Sequence, residues 1–281
     1  ISSDPQYVDA YAVDHHLLDS SPSKTASSSG GEIGAYGNGG APPDSDEELS
    51  TTPTLTGALT QSERWTGEVT LTGSVEVNWP YKLIIDAGTV IHMPSSATLT
   101  VNNFVRILGT ESSPVVFEAA EGATNWSGIY LNSSGAGSTI RYAHISDATY
   151  CIRSQGAPDE INNNRLSNCQ YGVYVNSGSP DISNNLIIEN AYAGIHVNNG
   201  NPQITYNTLD QNGNYGVYFS TSVVPTITNN IITRNTTGLY DYYGKYTGGY
   251  NNVWGNGTDY SRTSAAETDI SSDPQYVDAY A

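Results

Sequence analysis

Paired carboxylates are the residues of this sequence that could support bond cleavage. Asp159 and Glu160 follow Pro158, and Asp181 follows Pro180 about 22 residues later. If these segments are neighbouring strands, the carboxyl groups lie about 5 Å apart, which is the range in which two carboxyls can cleave a glycosidic bond. Hydrated acids at a turn explain the same residues more simply. The interpretation we favour therefore assigns them no catalytic role.

Two other groups have the composition of a metal site. His15 and His16 adjoin Asp14, but adjacent residues of a strand point to opposite faces. A second group offers the oxygen ligands that Ca²⁺ prefers, in a spacing that matches no calcium-binding loop. Its members are Asp44, Asp46, Glu47 and Glu48. We expect no cofactor, with Ca²⁺ at the acidic group as the alternative to a solubilising linker.

Cysteines and glycosylation sequons leave alternatives open. Cys151 and Cys169 are the only cysteines, and they can form one bridge between neighbouring turns or remain two buried thiols. The tripeptide N-x-S/T arises easily in a sequence rich in Asn and Thr, and it marks glycosylation only on accessible asparagines. The four sequons begin at Asn125, Asn132, Asn235 and Asn256. Asn125 and Asn132 flank a predicted strand and are the better acceptors.

A short repeat indicates the elements that position these groups. Between about residues 128 and 256, asparagine and glycine recur in phase with a period near 22 residues. Such a fixed period is the signature of a solenoid. The first asparagine row is Asn164, Asn185, Asn207, Asn230 and Asn252, the second is Asn168, Asn190, Asn212, Asn235 and Asn256, and the glycine row is Gly172, Gly194, Gly216 and Gly238.

Each repeat alternates apolar and polar residues, as half-buried strands do. A unit of 22 residues cannot bury its apolar face alone, but stacked units can, and parallel strands connect with a right hand. The sequence therefore predicts an all-β fold, a right-handed parallel β-helix of roughly ten to twelve coils. We expect the asparagines at bends, in left-handed backbone, each bonded to the asparagine one coil away. The predicted inward rows are Ile129, Ile152, Val173, Ile195, Val217 and Leu239, and Leu166, Ile187, Leu209, Ile232 and Trp254.

The matching outward row is mostly aromatic. Aromatic rings on a long surface can stack on sugars, so this row makes a carbohydrate-binding adhesin an alternative to a structural role. A solvent face on which tyrosines pair across coils is the interpretation we favour. The row comprises Tyr130, Arg153, Tyr174, His196, Tyr218 and Tyr240.

The chain also repeats on a longer scale. Residues 1–12, ISSDPQYVDAYA, recur unchanged as residues 270–281, at an offset of 269 residues. Twelve identical residues do not recur by chance, and the simplest explanation is a tandem array of near-identical modules. A duplicated tag is the alternative explanation.

Several segments resemble those of bacterial and archaeal surface proteins with right-handed β-helix (pectin-lyase-like) repeats. They are WTGEVTLTGSVEV and LIIDAGTVIHM, the GVYV coils, and NNVWGNGTDYS followed by DISSDPQYVD. Residues 3–37 resemble the strap that such proteins place after their last coil. The resemblance implies the β-helix fold. It does not select a function, because the family includes structural surface proteins and carbohydrate-active enzymes.

These patterns predict four segments. We expect residues 1–40 to be the closing strap, or C-terminal cap, of a preceding module, and residues 41–53 to be an acidic linker containing proline. Residues 54–269 are the predicted β-helix module, and residues 270–281 begin the next strap. The expected partners are copies of the same module, joined head to tail covalently or by self-assembly, with glycans as the alternative.

Composition restricts the classes of function. A net charge of −18 with only ten Lys and Arg disfavours nucleic acid and anionic membrane surfaces as partners. An uncharged polar surface with 21 tyrosines is typical of secreted or surface proteins. We therefore expect a non-enzymatic structural module of an extracellular fibre, stalk or cell-surface filament. An adhesin is the first alternative, and a polysaccharide lyase or glycoside hydrolase is the second.

Overall fold

A computed structural model describes residues 49–132, 137–156, 159–220, 222, 225–246 and 248–276, together with the backbone of two earlier strands. The chain divides into two compact units, Ile1–Glu48 and Leu49–Ala281. In the first unit, β1 (Tyr7–Asp9) and β2 (Asp14–Leu17) form an antiparallel pair. The acidic group considered for Ca²⁺, and most of the predicted strap and linker, lie outside the described residues.

The second unit is a solenoid in which each regular coil adds one strand to each of three parallel sheets. The first sheet contains β4 (Glu63–Trp65), β7 (Lys82–Asp86), β10 (Phe104–Leu108), β13 (Thr139–Arg141), β16 (Glu160–Asn162), β19 (Asp181–Ser183), β22 (Gln203–Thr205) and β25 (Thr226–Thr228). The second contains β5 (Glu68–Thr70), β8 (Val90–Met93), β11 (Val115–Ala119), β14 (Ala143–Ser146), β17 (Arg165–Ser167), β20 (Leu186–Ile188), β23 (Thr208–Asp210), β26 (Ile231–Thr233) and β28 (Asn252–Trp254). The third contains β3 (Gly57–Ala58), β6 (Val75–Val77), β9 (Thr98–Val101), β12 (Trp126–Leu131), β15 (Ala148–Gln155), β18 (Tyr171–Ser177), β21 (Ala193–Val197), β24 (Tyr215–Phe219), β27 (Thr237–Asp241) and β29 (Thr258–Ser261).

The strands stack in about nine coils, fewer than the ten to twelve expected from the sequence. One early coil is longer than the rest, because Arg106 pairs with Thr139, 33 residues further along the chain. The regular coils that follow take about 22 residues each, as their period predicts. The all-β parallel solenoid predicted from the sequence is therefore confirmed.

Each sheet contributes one inward row to a continuous apolar core. In the first sheet, Ile107, Ile140 and Ile161 are paired in successive strands and fully buried, and the isoleucine row continues to Ile227. The predicted row from Ile129 to Leu239 lines the third sheet and is also fully buried. Full burial of one aliphatic side chain stabilises the fold by about 1.5–3 kcal/mol, so stacking creates a core that no single coil has.

Residues in left-handed backbone turn the chain at two corners of each regular coil. At the first corner, Asn184 has a φ of 57° and directly precedes the ladder residue Asn185. The expectation that the ladder asparagines themselves are left-handed is therefore wrong. The left-handed residue ends the strand, and the next side chain then turns into the core. The first corner series is Tyr142, Asn163, Asn184, Tyr206, Asn229 and Tyr250, and the second is Asp147, Asn168, Glu189, Gln211, Arg234 and Gly255.

The last coil shifts two predicted rows by one residue. Tyr250 takes the left-handed corner at a φ of 56°, so Asn251 is the buried ladder residue and Asn252 is not. Val253 fills the apolar row of the second sheet, while Trp254 is only half-buried. The predictions for Asn252 and Trp254 are therefore wrong. The corner residue, rather than a fixed spacing of 22, sets the register of the strand that follows it.

The N-terminal end of the solenoid is closed by the residues just ahead of the first full coil. Ser50 pairs in parallel with Glu63, so the second unit begins within the segment predicted to be a linker. Glu63 is buried, and its carboxylate accepts the backbone N–H of Thr54 at 2.9 Å and the indole N–H of Trp65 at 2.7 Å. The functional meaning of the four predicted segments stays a prediction.

Candidate functional site

The first asparagine row forms a buried hydrogen-bonded ladder. The backbone N–H and the side-chain Nδ2 of Asn185 both donate to Oδ1 of Asn207 at 2.9 Å. Nδ2 of Asn207 donates to Oδ1 of Asn230 at 3.1 Å and to the carbonyl oxygen of Ile182 at 2.8 Å. Each amide therefore connects three successive coils. The structure places Asn164, Asn185, Asn207 and Asn230 in this ladder, followed by Asn251.

The ladder has a direction, and its end requires a different residue. Donors point toward the C-terminal end, so the last asparagine, Asn251, has donors with no further asparagine beyond them. Oδ1 of Asp269 accepts its backbone N–H at 2.9 Å and its Nδ2–H at 3.2 Å. Oδ2 of Asp269 accepts the hydroxyls of Tyr246 and Tyr260, each at 2.8 Å. Burial alone would raise the pKa of Asp269, but these hydrogen bonds and those from backbone N–H groups hold it below its usual value.

The second ladder repeats this design at the other corner. Asn190, Asn212, Asn235 and Asn256 are linked in the same direction, and Asp259 accepts the donors of Asn256 at 3.2 and 2.9 Å. Both ladders therefore end on a carboxylate. The prediction that Asn168 belongs to this row is wrong, because Asn168 is exposed and occupies the left-handed corner.

A disulfide occupies the start of the second ladder. Cys169 is in the ladder position, since its N–H donates to Oδ1 of Asn190 at 3.0 Å. Cys151 is in register with Gly172 of the next coil. The two cysteines are bridged, with Cα atoms 5.8 Å apart and a sequence separation of 18. The bridge thus takes the places that Gly172 and Asn190 fill one coil later, and the alternative of two free thiols is excluded.

The glycine row is required by the close approach of successive coils. A Cβ at Gly194 would lie 2.8 Å from the carbonyl oxygen of Gly216 and 3.0 Å from Nδ2 of Asn212. The other members of the row meet the same three neighbours: the next carbonyl, a ladder amide and an apolar side chain. The glycines therefore make room for the second ladder and carry no chemistry of their own.

We expect the Asn207→Ala substitution to lower the free energy of unfolding by about 2–5 kcal/mol. It leaves the two donors of Asn185 and the carbonyl of Ile182 buried without their partner. Equilibrium unfolding in guanidinium chloride, followed by circular dichroism, measures the change. Asn198→Ala is the matched control, because that exposed amide makes only a 3.4 Å bond to Asn176 and should shift stability by less than about 0.5 kcal/mol. Equal stabilities of the two variants would contradict a structural role for the ladder.

An aromatic face lies on the outside of the third sheet. The structure places the predicted row there, with Arg153, Tyr174 and His196 paired in successive strands. The rings of Tyr174 and His196 are 4.8 Å apart, and His196 lies 4.5 Å from Tyr218. At the N-terminal end of the row, the guanidinium of Arg153 lies over the Tyr130 ring at 5.2 Å.

A second aromatic column, which the sequence analysis missed, runs beside the first. Tyr150 and Tyr171 are stacked at 5.2 Å, and Tyr192 follows at 5.1 Å from Tyr171. Tyr215 continues the column 5.5 Å further on and stacks on Tyr218 of the first row at 4.9 Å. Tyr171, Tyr192 and Tyr215 each precede a member of the glycine row by one or two residues. This recurrence is a sequence signal from which the second column could have been predicted. The aromatic face is therefore Tyr130, Tyr150, Tyr171, Tyr174, Tyr192, His196, Tyr215, Tyr218 and Tyr240.

The rings of this face contact one another more than they face solvent. Neighbouring centroids are 4.5–6.4 Å apart in a mixture of stacked, tilted and edge-on contacts. Such pairs add about 0.5–1.5 kcal/mol each beyond the area they bury. Burial raises the pKa of Tyr171, Tyr174 and Tyr218 above the usual value near 10, so the face is uncharged at neutral pH. What remains free for a ligand is mainly ring edges and hydroxyls.

His196 is the one non-tyrosine ring of this face, and both of its nitrogens are buried without a hydrogen-bond partner. The rings around it belong to Tyr171, Tyr174, Tyr192 and Tyr218. Burial lowers its pKa to about 4. Since the pKa is near 6.5 in the unfolded chain, the unfolded state binds a proton more tightly. His196 therefore destabilises the fold as the pH falls from 6.5 toward 4.

We expect His196→Phe to remove part of this pH dependence. Between pH 7.5 and pH 5 the wild-type chain should lose about 1–2 kcal/mol through His196, a figure that allows for partial exposure of the ring. Unfolding midpoints measured at both pH values give the slope. Tyr218→Phe is the control and should keep the wild-type slope. Any slope left in His196→Phe includes His144, whose pKa is lowered by burial and by Arg165. Identical slopes for the wild type and His196→Phe would show that His196 is solvated.

The structure separates the three candidate catalytic carboxylates. Glu160 and Asp181 are paired in neighbouring strands and exposed. Asp159 is buried and accepts the Ser154 hydroxyl at 2.7 Å and the Ser138 N–H at 3.0 Å. Burial, opposed in part by these bonds, raises the pKa of Asp159. Only Glu160 and Asp181 could therefore meet a substrate together, and Asp159 stabilises the turn.

The side chains of the histidines and acidic residues considered as metal ligands lie outside the described residues. In the described ranges there is no group of three or more His, Cys, Asp or Glu side chains arranged to bind a metal. Asp14, His15 and His16 lie in β2, and their side chains are outside the described residues. His92 contacts Glu68 at 2.9 Å and Glu118 at 3.2 Å, an arrangement that the sequence analysis missed because the partners come from different coils.

Among the sequons, Asn125 is exposed and Asn132 is half-buried. The amides of Asn235 and Asn256 are used within the second ladder. Of the four, Asn125 is therefore the most accessible acceptor. In the part of the chain that the structure describes, no helix is long and apolar enough to cross a membrane.

The coils that carry the ladders and the aromatic face are also the part of the chain that resembles known sequences. The family model described as "Right handed beta helix region" matches residues 127–271. The chain belongs to the right-handed β-helix family. This match confirms the right hand that the strand connections predicted, and it confirms the resemblance to right-handed β-helix proteins. Neither a curated protein nor a solved structure matches the chain significantly. Family membership does not decide between an enzyme and a structural protein.

Proposed function

We propose that the chain is a structural module of an extracellular fibre, stalk or surface filament built from head-to-tail β-helices. The observation that carries this proposal is the segment that occurs twice. Residues 270–276 of its second copy bond to the last coil through the backbone of Ile270 and the side chain of Asn252. A segment that lies on the end of a β-helix and recurs at an offset of 269 residues is what a repeating array of such helices requires.

The arrangement of the stabilising interactions supports a role in extension. The three apolar rows and both asparagine ladders run along the solenoid axis, so each coil is held by the coils on either side of it. Nine coils at about 4.8 Å each give a module roughly 40 Å long. Pulling two coils of such a module apart along the axis requires the hydrogen bonds of all three sheets and both ladders to break together.

The disulfide supports an extracellular location. Disulfides such as Cys151–Cys169 persist in oxidising environments and are rare in the reducing cytosol of most organisms. The surface adds few positive charges, with ten Lys and Arg against 28 Asp and Glu. The proposal assigns the chain no catalytic activity.

The mass of the native material tests this proposal. We expect a fully denaturing gel to show one very large species or a ladder with steps near the 30.0 kDa of this chain. Should the modules assemble without covalent linkage, the denatured mass would be one module, and the undenatured sample would contain regular filaments. A sample that is monomeric under native conditions and near 30.0 kDa when denatured would contradict the structural role.

A carbohydrate-binding adhesin is the second candidate, favoured by the nine clustered rings of the aromatic face. Sugar stacking needs free ring faces, and most faces here are occupied by neighbouring rings. This geometry favours the structural role. Glycan-array binding that disappears in Tyr174→Ala and Tyr218→Ala, and survives in the control Tyr206→Ala, would support the adhesin instead. Tyr206 is suitable as the control because it is 61% exposed and lies outside the aromatic face.

A polysaccharide lyase or glycoside hydrolase is the third candidate, and it depends on the exposed pair of Glu160 and Asp181. Polysaccharide cleavage abolished by Asp181→Asn would support it. Cleavage that persists in this variant would exclude Asp181 as the catalytic group.

A further inference from the structure

The last coil carries a built surface that holds the terminal segment, here defined as residues 270–276. Ile270 continues the second sheet beyond β28: its N–H donates to the carbonyl of Asn251 at 2.9 Å, and its carbonyl accepts the N–H of Val253 at 3.0 Å. The pairing with Asn252 is parallel, like every other step of this sheet. The terminal segment therefore begins as one more rung of the solenoid.

Three side chains of the last coils contact the terminal segment. Asn252 bonds the backbone of Ser272 in both directions, donating to its carbonyl at 2.8 Å and accepting its N–H at 3.1 Å. The hydroxyl of Tyr276 lies 3.0 Å from that of Thr233, and its ring lies against the guanidinium of Arg234 at 5.4 Å. We name Asn252, Thr233 and Arg234 the strap-acceptor surface.

A carboxylate of the preceding coil fixes two side chains of the strap-acceptor surface. Oδ1 of Asp210, one coil earlier, accepts the Thr233 hydroxyl at 2.7 Å and the Nε–H of Arg234 at 2.8 Å. The guanidinium is thereby fixed with its plane available to an aromatic ring. At the same corner of the two preceding coils stand Gln211 and Glu189, which cannot make this contact. The surface is therefore specific to the end of the solenoid.

Residues 1–7 are identical to residues 270–276, so they present the same groups in the same order. Ser3 corresponds to Ser272, and Tyr7 corresponds to Tyr276. We propose that the N-terminal copy of the segment docks on the strap-acceptor surface of a second copy of this chain. The proposal rests on the structural function proposed above and names the contact through which one β-helix recognises the next.

Competition between the two copies determines when docking occurs. The C-terminal copy is tethered beside the surface, where a short tether gives an effective concentration in the millimolar range. A free copy with the same intrinsic affinity displaces it only at comparable concentrations. Weakening the C-terminal copy therefore opens the surface to the N-terminal copy of another molecule.

The test uses the full chain with Ser272→Pro and Tyr276→Ala combined. The proline removes the N–H that donates to Asn252, and the alanine removes the ring over Arg234. Circular dichroism verifies that the variant is folded. If the double variant does not fold, Tyr276→Ala alone is used in its place. A fluorescent peptide of sequence ISSDPQYVDAYA is titrated and followed by anisotropy. We expect saturable binding, weakened at least tenfold when the peptide residue that corresponds to Tyr7 is alanine or when the protein also carries Arg234→Ala.

Sedimentation velocity of the same variant tests docking between whole chains. We expect concentration-dependent dimers and longer chains, and a return to monomers when Tyr7→Ala is added. No saturable peptide binding, binding indifferent to both alanine changes, or assembly that persists with Tyr7→Ala would each overturn the proposal. A very large denatured mass of the native material, together with failure here, would leave the structural array intact and joined by its covalent chain alone.

Discussion

The buried asparagine ladder is the interaction on which the rest of this structure depends. A side-chain amide that donates twice and accepts twice can satisfy the backbone at a corner only when an identical amide stands one coil away. Within the stack, a coil without a partner amide would leave these groups buried and unpaired, at a cost of about 1–3 kcal/mol each. The ladder therefore makes each coil depend on its neighbours. The glycine row and the disulfide both serve this arrangement, since one makes room for the amides and the other replaces a rung.

A ladder with a direction has two ends that differ chemically. At the C-terminal end the surplus groups are donors, and Asp269 and Asp259 accept them. Both carboxylate oxygens of Asp269 accept hydrogen bonds. An asparagine at this position would place its NH₂ group where Oδ2 now accepts from two tyrosine hydroxyls, so donors would face donors. At the N-terminal end of the first ladder the surplus group is an acceptor, Oδ1 of Asn164, and it accepts the backbone N–H of Ala143 at 2.9 Å. The two carboxylates complete the ladders at the last coil, and the terminal segment that lies on the strap-acceptor surface begins one residue after Asp269.

The sequence predicted the regular coils well and the irregular positions poorly. Period and alternation were sufficient for the sheets, the apolar rows and most of the first ladder, because identical coils impose identical environments. The errors at Asn168, Asn252 and Trp254 share one cause: the corner residue sets the register, and spacing alone does not reveal which of two adjacent residues is left-handed. The Tyr-Asn pair at Tyr206 and Asn207 recurs at Tyr250 and Asn251 and could have corrected the last coil. The contacts of Glu63 and of Asp269 join different coils through unique residues, which no repeat pattern reveals.

Residue-resolved amide hydrogen exchange in wild type and Asp269→Ala tests most directly whether the ladder, through its cap, holds the coils together. Removing the cap leaves the backbone N–H of Asn251 without an acceptor and takes one acceptor from its Nδ2. Because Asn251 accepts from Asn230, the loss of order should extend along the ladder. The account predicts that protection falls most at Asn251, less at Asn230 and least at Asn185. A uniform change across the solenoid, or protection unchanged at Asn251, would show that the apolar rows alone hold the coils and that the ladder is incidental.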